Sequence, residues 1–420
     1  MPPAGCAEYT SGMNRAWPAV DNGRMMSNSL HSARVAWSHP TARALLAAAL
    51  ALSSATGLAA EAPPTPLADD AIAVPAAGFA ADTSFDAPLP ADETRLMSQA
   101  WSESDPRRYF VADVLGMQRN NALKYQPLAV ESTTRFVGLS SNQLQSTFAP
   151  GIRLLYGQYG EGESVGWETG YIGLWNMYSH SQVDSPGSVL QAPGGLGFAS
   201  PAYRDASHAT FTGVTSLQSA DVNLVLHSYD GGFDRLSPRA AQRCDWYDGG
   251  HLDWLAGFRW ADLEDSAQLG FIPSGGTSAN TYSARTTSNL FAGQVGVRGR
   301  MEFQEWALES WIKIGLAGTS VSQSQSFYDQ LAPDSPFRTP RSGWHGGVGM
   351  ISDANLSAVW RMNRVWGVRM GYNLMWLTGV GLAADQLNFS ANQGPSTGTA
   401  IDSTGSLALS GVNAGLEARW

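Results

Sequence analysis

The chain has 420 residues, 43% of them apolar and only 15% charged, which excludes disorder for most of its length. Its 26 basic residues stand against 36 acidic ones, and no basic cluster traces a phosphate-binding face, which argues against a nucleic-acid partner. Lys124 and Lys313 are the only lysines, so nearly all positive charge is arginine.

Arg34 and Arg43 precede an apolar run from Ala44 to Leu52 that continues through small residues to Ala60. This is the pattern of a secretory signal peptide over 34–60, with cleavage near Ala59 or Ala60. The run is too short and Ala-rich for a retained spanning helix, and Glu61, Pro63, Pro64 and Pro66 follow it directly. Residues before Arg34 are too polar for a leader, which makes Met25 and Met26 candidate translation starts. Loss of residues 1–60 takes the basic and acidic counts from 26 and 36 to 22 and 34, since Arg15, Arg24, Arg34, Arg43, Glu8 and Asp21 go with it. Cys244 is then the only cysteine, so neither an internal disulfide nor a cysteine-based metal site can form. Residues 61–108 are rich in Ala, Pro and Asp without periodicity and read as a linker or periplasmic tail.

From Tyr109 the pattern becomes period two, as a strand with two different faces requires. Trp366, Val368, Met370, Tyr372, Leu374 and Trp376 alternate with Gly367, Arg369, Gly371 and Asn373; Leu252, Trp254, Ala256 and Phe258 alternate with Asp253, Gly257 and Arg259. Strands are predicted near 109–119, 150–160, 166–178, 217–229, 250–264, 286–300, 305–321, 344–360, 365–378 and 409–420. Long gaps at 120–149, 179–216, 265–285, 322–343 and 379–408 alternate with short ones at 161–165, 301–304 and 361–364, the long-outside, short-inside pattern of outer-membrane barrels. The gap from Asp230 to Gly250 breaks this rule and leaves room for a miscounted strand. The expected fold over 109–420 is therefore all-β, a closed antiparallel transmembrane β-barrel of about ten strands, with twelve as the alternative.

Trp366 and Trp376 stand roughly 25 Å apart along a membrane normal at ordinary strand rise and tilt, the height of an apolar band between two girdles. Trp167, Trp306, Trp360, Trp366 and Trp420 fall at the short-turn ends of strands, where an aromatic girdle sits. The chain ends Gly411 to Trp420 with apolar residues at every second position back from the aromatic terminus, resembling the strand that barrel-insertion machinery recognises. The segment Tyr109-Phe110-Val111-Ala112-Asp113-Val114-Leu115-Gly116-Met117-Gln118-Arg119, the Trp- and Gly-rich strands and Trp420 resemble the planctomycete beta barrel porin family, type seven. That resemblance covers about 109–420 and implies an architecture, with no catalytic or ligand residue carried over.

The inward-facing set includes Arg259, Arg298, Arg369, Arg419, Asp253, Glu309 and Glu417, together with Arg153, Glu168, Asp221, Arg300, Lys313, Asn373 and Asn413. In a bore of about ten strands such charges are expected to pair and close the interior. His180, His208, His227, His251 and His345 show no His-x-x-x-His or His-Glu-x-x-His spacing, so no metal, cofactor or catalytic residue is expected. His227 and His251, with Asp253 on the same face, read as polar rim residues near one another on adjacent strands. Three functions remain in view: a narrow or gated solute channel, a closed barrel whose loops serve adhesion or envelope structure, and, last, a membrane-embedded hydrolase. The mature protein is expected to fractionate with the outer membrane and to migrate faster unboiled than boiled on a denaturing gel; recovery from the soluble periplasm would refute the membrane reading.

Overall fold

The computed structural model describes residues 108–420, apart from 121–124, 144–145, 161–163, 186, 188, 229–246, 275, 277, 304, 331 and 364. These residues lie in the compact unit Pro88–Trp420. The leader, the linker up to residue 107 and Cys244 fall outside the described residues.

Thirteen strands carry the described chain: β1 (Arg108–Asn120), β2 (Pro127–Glu131), β3 (Val137–Ser140), β4 (Ala149–Tyr159), β5 (Val165–Asp184), β6 (Leu190–Gln191) and β7 (Ala206–Ser228). They continue as β8 (Tyr247–Pro273), β9 (Asn280–Phe303), β10 (Trp306–Tyr328), β11 (Arg341–Arg361), β12 (Trp366–Val380) and β13 (Gly405–Arg419). Ten of them form a ring in the order β7-β5-β4-β1-β13-β12-β11-β10-β9-β8, and β8 pairs back onto β7 from Ala206↔Pro273 to Ser228↔Leu252. Every neighbouring pair in the ring is antiparallel. The ring strands coincide with the ten segments expected from period-two patterning. The twelve-strand alternative falls away, because β7 and β8, the strands flanking the long 230–250 gap, are direct partners in the ring.

Outward side chains over the middle of the strands are apolar and exposed: Leu224 on β7, Phe258 on β8, Val295 on β9, Ile314 and Leu316 on β10, Met370 and Leu374 on β12, and Val412 on β13. Trp167, Trp306, Trp360, Trp366, Trp376 and Trp420 are likewise exposed. Trp306 lies directly opposite Trp360 in the β10–β11 register.

The expected long loops need correction. β8 runs 27 residues, β9 24, and β7 and β10 23 each, against 11 to 15 for β1, β4, β12 and β13. Most of 265–285, and a little under half of 179–216 and of 322–343, is therefore barrel wall, and β8 and β9 are joined through residues 274–279 alone. The apolar period-two signal ends early because the outward face turns polar, with Ser322, Ser324 and Ser326 exposed on β10 and Glu264, Ser266 and Gln268 outward on β8. Inward residues such as Val321, Phe327, Leu269 and Phe271 stay buried. Such a face fits a wall that has left the hydrocarbon and stands in water.

The last strand closes the ring: β13 pairs with β1 from Tyr109↔Arg419 and with β12 from Trp366↔Ala418, and Trp420 exchanges both backbone hydrogen bonds with Arg108, at 2.9 and 3.0 Å. Deleting Leu416–Trp420 strips the partners from one end of two strands and leaves their backbone groups open in lipid. The heat-modifiable form is expected to disappear from membranes of the truncated strain, measured by gel mobility of membrane fractions, and normal levels would overturn this closure argument.

Candidate functional site

Below the middle of the barrel, toward the short turns, the inward faces carry charge. Seven cations, Arg153, Arg259, Arg298, Arg300, Lys313, Arg369 and Arg419, meet seven buried carboxylates, Asp113, Glu168, Asp221, Asp253, Glu309, Asp353 and Glu417. Counted formally, the seven positive and seven negative charges balance.

Two groups of pairs share the layer. Nearer the short turns, Glu309 and Glu417 hold three arginines between them: Arg300 at 3.1 and 2.7 Å, Arg369 at 3.3 Å from each, and Arg419 at 2.8 and 2.5 Å. Around them Arg298 donates through Nε and Nη2 to Asp253 Oδ2 at 2.9 and 2.6 Å and through Nη1 to Glu168 Oε2 at 2.6 Å. Lys313 Nζ bridges Glu168 and Asp221 at 2.8 and 2.9 Å, Arg259 meets Asp353 at 2.9 Å, and Arg153 pairs with Asp113. Trp311 is buried among them, its ring centroid 4.6 Å from the Arg153 guanidinium carbon and 5.6 Å from that of Arg369. Glycine makes the space for such long side chains: a Cβ on Gly170 would stand 2.3 Å from Asp221 Oδ1, and one on Gly415 2.3 Å from Asp113 Oδ1.

All seven lumen residues singled out from the sequence lie in this layer, Arg369, Arg419, Glu309 and Glu417 in the first group of pairs and Arg259, Arg298 and Asp253 in the second. Asp113, Asp353 and Trp311 were missed, although parity could have found them. Asp113 sits between Val111 and Leu115 on a strand whose other face is Phe110, Ala112 and Val114, and a carboxylate has only the lumen to point into.

Above the charges lies an apolar layer. Leu115 and Met117 (β1), Ala149 (β4), Leu174 (β5), Leu217 (β7), Leu263 (β8), Leu290 (β9), Ala317 (β10), Ile351 (β11), Leu377 (β12) and Leu407 (β13) form one buried cluster, so every ring strand contributes. A third tier caps it, where Phe271, Tyr282 and Phe327 of the tall wall pack with Leu128, Leu139, Leu196 and Leu387. The segment 381–404 is stitched into this cap by the wall. Asp265 accepts from the Ala383 amide at 2.8 Å, Tyr282 accepts from the Asn388 amide at 2.7 Å, and Gln325 donates to the Gln386 carbonyl at 2.7 Å. Arg338 donates to the carbonyls of Asn388, Ser390 and Asn392.

At the short-turn end, His227, His251 and Asp253 bring their side-chain nitrogen and oxygen atoms within 4.8 Å of one another. The sequence placed these residues near one another on adjacent strands, and the register of β7 on β8, with His227 opposite Asp253, brings them together.

No family model matches the chain, and no curated protein does. Among solved structures, the outer membrane protease OmpT from Escherichia coli is similar at 9% identity over 74% of this chain and 96% of that one, with a TM-score of 0.42. A mutant of the monoaromatic hydrocarbon channel TodX matches at 11% identity over 75% and 90%, with a TM-score of 0.23. The toluene transporter TbuX from Ralstonia pickettii matches at 10% identity over 76% and 90%, with a TM-score of 0.19. The architecture stands on the strand pairing itself.

Removing one partner of a buried ion pair strands the other, at a cost of about 3–5 kcal/mol. Glu417→Gln, which leaves Arg300, Arg369 and Arg419 with one carboxylate fewer, is expected to lower the urea midpoint of the micelle-refolded barrel by a stability loss of that order. Adding Arg419→Gln should recover part of the loss by restoring the balance. An unchanged midpoint in the single variant would show that the network carries little of the stability.

Proposed function

We propose that the chain is an outer-membrane β-barrel with a sealed lumen, acting through the surface that its tall wall and capped end display, in adhesion or envelope structure. The observation that carries this reading is the apolar layer to which all ten ring strands contribute. Water and ions crossing the barrel would have to pass through it, and a ten-stranded bore is narrow enough for side chains to fill. The charged layer beneath agrees with it: the cavity lined by Arg153, Glu168, Asp221, Arg259, Lys313 and Asp353 measures about 20 Å³, room for a single water.

Placement in the outer membrane is supported by the apolar outward band, the exposed tryptophans, the leader read from 34–60 and the terminal strand ending in Trp420. Kinship with the planctomycete type-seven family is supported by the opening segment Tyr109–Arg119 and that same terminus. The lipid bilayer and the barrel-insertion machinery are then its partners. The reading is non-enzymatic: the carboxylates of the charged layer are ion-paired in the interior of the ring, beneath the apolar layer.

Planar-bilayer recordings test it. The purified barrel is expected to give small or rare events, far below those of a general porin of about 16 strands, and Leu263→Ser with Leu290→Ser should raise them by wetting the apolar layer. A large, steady conductance in the unmodified protein would replace the sealed barrel with the channel reading.

A further inference from the structure

Neither the ion-pair balance nor the apolar seal makes use of the two histidines at the short-turn end of the lumen. His227 lies on the inward face of β7, directly opposite Asp253 on β8, and His251 stands two residues before Asp253 on that same face. His227 Nδ1 is 2.5 Å from Asp253 Oδ1, and the two imidazole rings lie 4.8 Å apart between centroids. The other carboxylate oxygen is already held: Asp253 Oδ2 accepts from Arg298 at 2.9 and 2.6 Å and from the Tyr159 hydroxyl at 3.0 Å. One oxygen is thus fixed from behind while the other faces two imidazoles, as when outer-shell partners orient a metal-ligating carboxylate. Arg298 divides its charge between Asp253 and Glu168, so it does not cancel the aspartate alone.

We propose that His227, His251 and Asp253 bind one borderline divalent transition-metal ion, zinc in the first instance, and so tie the ends of β7 and β8 together. Two imidazole nitrogens and a carboxylate oxygen are a zinc-type donor set, and three protein ligands leave the fourth tetrahedral position to water. Calcium and magnesium prefer all-oxygen sets, and copper(I) prefers sulfur. The ligand atoms are spread over up to 4.8 Å, so the side chains draw together on binding. The site revises the expectation of no metal, which rested on local spacing that a pairing between strands does not obey.

The refolded full-length barrel, stripped with chelator and titrated with zinc chloride, tests the site by calorimetry and elemental analysis. One zinc per chain and a raised unfolding temperature are expected. His251→Ala and the near-isosteric His251→Gln should each weaken binding at least tenfold while gel mobility still reports a folded barrel. Tyr159→Phe, which frees the carboxylate it orients, should weaken it by about tenfold. A variant lacking His180, His208 and His345 should bind as the unmodified protein does. Cobalt(II) in place of zinc should give the intense visible absorption of a four-coordinate site, lost in His251→Gln. Zinc bound equally by a His227→Ala/His251→Ala variant, or no zinc bound by the unmodified barrel, would overturn the proposal and leave the cluster as hydrogen-bonded rim residues.

Discussion

A backbone amide or carbonyl left unpaired in hydrocarbon costs several kcal/mol, and the pairing of β8 back onto β7 is what leaves no open edge in the ten-strand ring. Everything else is arranged within that closure. The strands alternate, one side of each turned outward with exposed apolar residues and the other turned into the lumen. The chain must return its last strand to its first, which the Arg108–Trp420 backbone exchange completes. A strand's identity matters less than its having a partner on both sides.

Closing the ring also creates an interior that has to be filled. A ten-stranded bore is too narrow to hold bulk water comfortably and too wide to be left empty. The chain fills it in tiers of different chemistry, balanced ion pairs below and aliphatic side chains above. The ion pairs alone need not add stability relative to apolar packing, since desolvation offsets much of their attraction. They do fix partners: Arg369 reaches toward Asp113, Glu309 and Glu417, on three different strands, and only one register of those strands satisfies it.

The ten-strand ring was legible in the sequence because lipid demands an apolar residue at every second position, and Trp366 to Trp376 shows it without interruption. Strand ends were not legible. Past Gly318 the outward side of β10 becomes Ser320, Ser322, Ser324 and Ser326, while Gln323 and Gln325 interrupt the buried side, so hydropathy reports a loop where the wall continues. The charged lumen was half legible: Arg259 and Arg369 stood out on strongly alternating strands, whereas Asp113, with apolar neighbours on both faces of its strand, was marked only by its own charge. The His227–His251–Asp253 cluster was legible as a neighbourhood of adjacent strands but not as a donor set, because its members come together through a strand pairing rather than through a metal-ligand spacing.

In the outer-membrane placement proposed above, the unequal height of the wall has a consequence for how the cell surface meets this protein. On the β7–β10 side, strands of 23 to 27 residues outrun the bilayer as continuous hydrogen-bonded sheet, and the β8–β9 tip is a handful of residues. A protease cleaves chain that can be drawn out into its cleft, and paired backbone in a closed wall does not yield to it. That flank therefore stands above the membrane as a polar parapet on which digestive enzymes find little purchase. On the opposite side, with its shorter strands, the segment 381–404 owes the same protection to the hydrogen bonds that hold it against the tall wall.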